Sequence, residues 1–226
     1  MGDIGGKVSK GRLVIIGGGG HAGVVLDAFQ SSAHKEFLST AAILDSKKKL
    51  QAQGAAHGLP VIGGDEVLSD AVANGFHWFV LGLGGGIDNQ QREKLFAQAI
   101  SAGLSPLTVI HDSAVVSPSA KLGEGTVVLP RAVINANSCL GDNVIVNTAA
   151  VVEHDCRVGD HVHIAPRACL LGGVTVGRLA FVGAGAIIRQ GLALGDRAVV
   201  GCGAVVVEDV PSGAVVYGNP AKQRHL

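Results

Sequence analysis

Residues 145–164 read IVNTAAVVEHDCRVGDHVHI, and an aliphatic residue returns at every sixth place: Val146, Val152, Val158, Ile164. Extending the step in both directions meets Ile110, Val116, Leu122, Val128, Ile134 and Leu140 before this stretch. Beyond it come Leu170, Val176, Val182, Ile188, Leu194, Val200 and Val206, with no insertion anywhere. The fourth residue after each is usually small, as at Ala132, Ala150, Ala168 and Ala186. The residue directly after is often glycine, as at Gly123, Gly141, Gly159, Gly177 and Gly195. A period of six fits neither a helix at about 3.6 nor a half-buried strand at about 2. It fits a solenoid of short strands and turns that buries one aliphatic side chain per repeat. Three such hexads make one triangular coil, so residues eighteen apart stack. Backbone pairing then runs between coils, roughly 4.8 Å apart.

Composition agrees. The chain has 226 residues, enough for one large or two modest domains, with 34 glycines for tight corners. Eighteen basic and eighteen acidic residues cancel, so no basic stripe points to nucleic acid or to a membrane surface. No apolar run reaches the roughly 18 residues that span a bilayer. Residues 1–10 carry no signal-peptide core and are expected to be a short disordered lead. Cys139, Cys156, Cys169 and Cys202 show no metal spacing and are expected as free thiols in a reducing cytoplasm.

Ahead of the repeat the pattern changes. Leu13-Val14-Ile15-Ile16 reads as a buried parallel strand, followed by Gly17-Gly18-Gly19-Gly20-His21-Ala22-Gly23 and a helix carrying Val24, Val25, Ala28 and Phe29. Strand, glycine turn and helix together let a phosphate approach backbone amides at a helix N-terminus. Ala41-Ala42-Ile43-Leu44 reads as a second strand ending at Asp45, an acid placed to meet a ribose hydroxyl. A strand over 76–83 and a helix from about Asn89 to Ala102 follow. The expected organisation is therefore a small Rossmann-like parallel α/β domain over 11–106, in fixed contact with a parallel β-helix over 107–226.

Several of these segments resemble one known family. The repeats, the Gly17–Gly23 turn, Asn147-Thr148-Ala149-Ala150, Glu153-His154-Asp155-Cys156, His161-Val162-His163 and Gly218-Asn219-Pro220-Ala221-Lys222 are similar to those of bacterial hexapeptide-repeat sugar acetyltransferases with an N-terminal nucleotide-binding domain. That family includes the bacillosamine-type N-acetyltransferases of nucleotide-linked 4-amino sugars and the sialic acid O-acetyltransferases. The resemblance implies a left-handed β-helix, where general crossover rules favour the right hand. It also implies acetyl-CoA as co-substrate, no metal, and a homotrimer with sites between subunits. The expected acceptor is a nucleotide-linked, UDP-type 4-amino-4,6-dideoxy sugar; a sugar hydroxyl of the sialic acid type is the alternative.

The resemblance also distributes roles. His154 is the expected general base, since a neutral imidazole suits proton removal at cytoplasmic pH. It lies two residues past inward Val152 and so points outward, with small Ala136 and Gly172 one coil away on either side. Gly172 offers an amide to an oxyanion and Asp155 orients the imidazole. His163 sits on another face and reaches a neighbour's His154 only across a subunit boundary. Cofactor contacts are expected from Asn147, His163, Gly172, Ala184, Cys202 and Pro220. The outward column Pro166, Ala184, Cys202 leaves a groove for an extended pantetheine arm. Substrate contacts are expected from Gly20, His21, Asp45, Gly82, Asn89 and Arg92. Three departures from the family touch the base and sugar assignment: Ala22 follows the histidine, Ser46 follows Asp45, and an insertion follows Gly82. Zinc chemistry of the γ-carbonic anhydrase type needs histidines from successive coils, whereas His154, His161 and His163 fall within ten residues. A non-catalytic solenoid leaves the His154 environment without a purpose.

Overall fold

The computed structural model describes residues 11–224. The lead expected at 1–10 lies outside them. The first half runs β1 (Arg12–Ile16), α1 (Gly20–Ser31), β2 (Ala42–Leu44), α2 (Lys48–Gln53), β3 (Ala55–Ala56), β4 (Leu59–Gly63), α3 (Leu68–Ala73), β5 (Phe76–Leu81), α4 (Gln90–Ser101) and β6 (Ser105–Pro106). The strands form one sheet in the order β3-β4-β2-β1-β5-β6. All its pairs are parallel except the β3–β4 hairpin. β1 is central, which is why Leu13, Val14, Ile15 and Ile16 form an unbroken apolar run: both faces are covered. α1 buries Ala22, Val25, Leu26, Ala28 and Phe29 against one of them. The sequence reading missed α2 and the hairpin. No apolar period marks Ser46–Gly58, and the hairpin turns on only two residues, His57 and Gly58, both at positive φ (50° and 77°). That is the signature of a tight primed turn.

From Val109 the chain winds as a triangular parallel β-helix. Its first face carries the strands Val109–Ile110, Val127–Val128, Ile145–Val146, His163–Ile164, Phe181–Val182 and Val199–Val200. The second carries Val115–Val116, Val133–Ile134, Val151–Val152, Cys169–Leu170, Ile187–Ile188 and Val205–Val206. The third carries Lys121–Leu122, Cys139–Leu140, Arg157–Val158, Thr175–Val176 and Ala193–Leu194. Strand partners are the residues expected to stack, such as Val152 with Leu170 and Ile164 with Val182. Every aliphatic member of the six-step from Val128 to Val206 is buried in a single core, and Ile110, Val116 and Leu122 of the first coil are packed against it. Small residues fill the remaining corners: Ala132, Ala150, Ala168, Ala186 and Ala204 are all fully buried. Past the last coil the chain closes the first face with an antiparallel hairpin, Val215–Gly218 against Ala221–Arg224. The hairpin covers an edge that would otherwise present unpaired backbone groups.

The N-terminal sheet sits on the first face. Leu107, Val109, Val127, Leu129 and Ile145 share one apolar cluster with Leu13, Ile15 and the buried side of α1. The α/β half and the upper coils thus form a common core, as the short connection through Ser105-Pro106 requires.

Candidate active site

The corner between the second and third faces carries His154. Asp155 follows with φ 61°, a left-handed backbone that swings adjacent side chains toward each other instead of to opposite sides. As a result His154 Nδ1 and Asp155 Oδ2 lie 2.8 Å apart, although both side chains are more than half exposed (61% and 54%). The hydrogen bond from His154, with a second from Asn137, holds the Asp155 carboxyl below its usual range. An ionised carboxylate only accepts, so Nδ1 carries a proton, and in the neutral ring Nε2 is then a bare acceptor. That nitrogen lies over Gly172. A Cβ built on Gly172 would fall 2.7 Å from Nε2 and 2.6 Å from Cε1, so no side chain fits there while the ring keeps this position. On either side of Gly172 the amides of Leu171 and Gly173 are used by the coil ladder, donating to Ile188 O (3.1 Å) and His154 O (2.9 Å). The stacking of His154 on Gly172 is as the eighteen-residue spacing implied.

A second group of polar residues is buried where the N-terminal half meets the first face. His163 projects from that face and is 5% exposed. Its Nε2 accepts from Asn147 Nδ2 at 3.0 Å, and its ring meets Phe181 edge-on. The His21 ring lies 6.5 Å away, and Gly85 passes so close that a Cβ there would fall 2.6 Å from His163 Nδ1. Burial, reinforced by the nearby Arg92 cation, pushes His163 down to about 3 and His21 down to about 4. Both rings are therefore neutral at pH 7. His163 was expected to contact cofactor from an outer face. Instead its ring is enclosed within its own chain, because the first face is the one that the N-terminal sheet covers.

Asn89 and Arg92 are also displaced from their expected role as substrate contacts. Both are buried, at 1% and 3% exposed. Arg92 Nη2 donates to Asn143 O and Asn143 Oδ1, each at 2.7 Å, and Nη1 reaches His161 O at 3.5 Å. Asn89 Nδ2 donates to Leu179 O and Ala180 O, at 3.2 and 3.1 Å. Glu93 pairs with Arg178. Asn143, His161 and Leu179 are equivalent corner residues of three successive coils, all at positive φ. The first turn of α4 is thus a splint laid along one corner of the β-helix. The same helix also contributes Gln91 and the buried Leu95 to a cavity, and these two the sequence reading missed. Their spacing of four, on one helix face beside the glycine loop, was the available signal.

That cavity, about 270 Å³, opens at the C-terminal ends of β1, β2 and β5, the usual ligand position in an open parallel sheet. Gly17, Gly19, Gly20, His21, Asp45, Ser46, Lys47, Gly82, Leu83 and Gly84 complete its lining, so Gly20, His21, Asp45 and Gly82 are brought together as expected. Nothing lies within 4 Å of a Cβ placed on Gly19 or Gly20, so these two residues face open space. Asp45 is more constrained than the sequence suggested. Its Oδ2 accepts from Gly18 N and its Oδ1 from Lys47 N, each at 2.7 Å, so it first fixes the turn and offers a ligand only its remaining lone pairs. Along the opposite margin of the first face, Pro166, Ala184 and Cys202 form the expected column, spaced by Gly185 N to Pro166 O (2.9 Å) and Gly203 N to Ala184 O (2.8 Å). Pro220 is exposed in the terminal hairpin turn. Among the described residues no group of His, Cys, Asp and Glu is arranged to hold a metal ion.

Known proteins are similar to this chain in sequence and fold. The PglD N-terminal domain model matches residues 12–99, and the bacterial transferase hexapeptide model matches residues 155–190. PerB from Caulobacter crescentus, solved with CoA and GDP-perosamine, is 41% identical with a TM-score of 0.85, over 97% of this chain and 100% of its own. The acetyltransferase domain of PglB from Neisseria gonorrhoeae, solved with acetyl coenzyme A, is 37% identical with a TM-score of 0.84, over 96% and 100%. WeeI from Acinetobacter baumannii is 26% identical with a TM-score of 0.80, over 94% and 99%. No match was found among curated protein sequences. Identity of this degree along nearly the whole chain, on the same two-part architecture, means that the protein belongs to the left-handed β-helix acetyltransferases of nucleotide-linked amino sugars that carry a PglD-type N-terminal domain.

Proposed function

We propose that this chain transfers an acetyl group from acetyl-CoA to the amine of a nucleotide-linked 4-amino-4,6-dideoxy sugar in the cytoplasm. The observation that carries the reading is the His154 ring, tied through Nδ1 to Asp155 and presenting Nε2 over the bare backbone of Gly172. The amine nitrogen attacks the thioester carbonyl carbon directly, and its proton passes to His154 Nε2. The Gly172 amide receives the oxyanion that forms on the carbonyl oxygen. Collapse breaks the carbon–sulfur bond, and the imidazolium returns the proton to the departing thiolate. Residues 11–106 hold the nucleotide, through the amides of the glycine turn and Asp45. Residues 107–226 hold the acetyl donor, along Pro166, Ala184 and Cys202 with Asn147 and Pro220 beside it.

In this reading one site takes residues from two chains of a homotrimer. The nucleotide cavity lies over the first face, whereas His154 stands at the corner opposite it, between the second and third faces. The outward column of the second face is Val115, Val133, Val151, Cys169, Ile187 and Val205, apolar throughout, with Val115 60% and Ile187 42% exposed. A second copy seated on that column covers it and brings its own first-face margin to the His154 corner.

The sequence resemblance favours a UDP-linked acceptor, and PerB was solved with GDP-perosamine. Acetyl transfer is therefore to be measured over UDP-, GDP- and dTDP-linked 4-amino sugars, with sialic acid as the hydroxyl acceptor. The reading expects one acetyl group gained on nitrogen by a nucleotide-linked sugar, with stoichiometric CoA release. Acetylation of sialic acid alone, on oxygen, would replace it with the second family activity.

A further inference from the structure

His57, at the tip of the β3–β4 hairpin, lies outside the roles assigned above. Its Nε2 stands 3.0 Å from Gly19 O and 3.2 Å from Gly18 O. Both partners are carbonyls, so Nε2 is the donor. The ring rests on α1 at Gly23, where a Cβ would come within 3.1 Å of Cε1 and Nδ1. On the other side of the turn, Asp45 Oδ2 accepts from Gly18 N at 2.7 Å. The glycine turn is therefore held from two directions: Asp45 accepts from the Gly18 amide, and His57 donates to the Gly18 and Gly19 carbonyls, the second of which also accepts from Ala22 N at 3.0 Å.

We propose that His57 is a positioning residue for the nucleotide cavity, latching the Gly18 and Gly19 carbonyls so that the amides of Gly19 and Gly20 face the diphosphate. In a planar trans peptide the carbonyl of one residue and the N–H of the next point in opposite directions. Drawing the Gly18 and Gly19 carbonyls toward His57 thus turns the following two N–H groups away from it. Gly19 and Gly20 line the cavity and have open space before them. Glycine in this turn gives close approach at the cost of a loose backbone. The latch removes that looseness before ligand arrives, which is where a pre-ordered site gains affinity. The position itself argues for a purpose beyond the turn. His57 has φ 50°, a conformation better suited to Asn, Asp or Gly in a two-residue hairpin.

The role of the diphosphate rests on the proposed function, and the test separates the two ideas. His57→Gly keeps the turn and relieves its backbone, so the Tm should hold or rise. GDP and UDP binding should weaken about five- to tenfold, the worth of roughly one lost hydrogen bond. The KM for acetyl-CoA should stay at the wild-type value. His57→Gln keeps a side-chain N–H donor and should recover most of the affinity. Gly23→Ala, which crowds the ring, should lose affinity in the same direction as His57→Gly. Hydrogen exchange in the unliganded protein should quicken at residues 17–21 in His57→Gly. Equal nucleotide affinity in wild type and His57→Gly overturns the positioning role. Unchanged exchange at the turn overturns the latch itself. Wild type that binds neither GDP nor UDP overturns the nucleotide reading, and with it the ligand assigned to these amides.

Discussion

At the residue scale the site depends on two neighbours facing the same way. Extended backbone would send His154 and Asp155 to opposite sides. The positive φ at Asp155 brings them within 2.8 Å. A positioned base contributes roughly 10²–10⁴-fold, so His154→Ala should lower kcat by about that factor while the Tm holds, since the side chain is exposed. Asp155→Asn alone should lower kcat less. Added to His154→Ala it should cost nothing more, because the carboxylate acts only through the ring. A further drop in the double variant, measured by steady-state kinetics, would give Asp155 an independent role. The order of side chains was legible here. Val152 inward, His154 outward and Gly172 one coil on all follow from the repeat. The Asp155 contact was expected from the family resemblance alone, because the backbone that makes it possible belongs to the corner and leaves no mark in the alternation.

At the scale of the element, α4 shows where sequence reading loses direction. The helix was expected at Asn89 to Ala102 and spans Gln90–Ser101. Its polar residues beside a glycine-rich loop read as ligand contacts, yet Asn89 and Arg92 satisfy carbonyls at Asn143, His161, Leu179 and Ala180. Positive-φ corners turn these carbonyls outward, and nothing in the sequence says which corner a helix will meet. Arg92 stays buried as a cation with oxygen partners from backbone and amide, even though burial pushes it down to about 9. Arg92→Met should therefore leave Asn143 O and Asn143 Oδ1 buried without a donor and cost about 1–3 kcal/mol. Chemical denaturation checks this, and a variant as stable as wild type would remove the splint from the account. The same sense of direction was missing for the β3–β4 hairpin, whose two-residue turn carries no apolar period.

At the scale of the molecule, the repeat was legible from end to end, and the partner of each face was not. The outward columns of the first and second faces are similarly apolar, and only the third, with Lys121, Arg157 and Thr175, is plainly polar. The first proves to be covered by the chain's own N-terminal sheet, and that burial has a consequence for stability. His21 and His163 take up protons near pH 6.5 when unfolded, and only at about 4 and about 3 when folded. Between those limits the unfolded chain binds more protons, so stability is full above about pH 6.5 and falls as the pH drops toward 3. The Tm should accordingly be lower at pH 5 than at pH 7.5; an equal or higher value would show the rings are not held neutral. In the proposed homotrimer the second face takes another copy, and with it comes the claim that each site is shared. Gly19→Val places a side chain in the nucleotide cavity, where the fold has room for it, and His154→Ala removes the base from the opposite corner. Each variant alone should be nearly inactive. Co-expressed in equal amounts, they should restore one intact site in each mixed trimer and about one quarter of the wild-type rate, since about one trimer in four contains a single variant, whereas activity no greater than that of the two parents would contradict a site built from two chains.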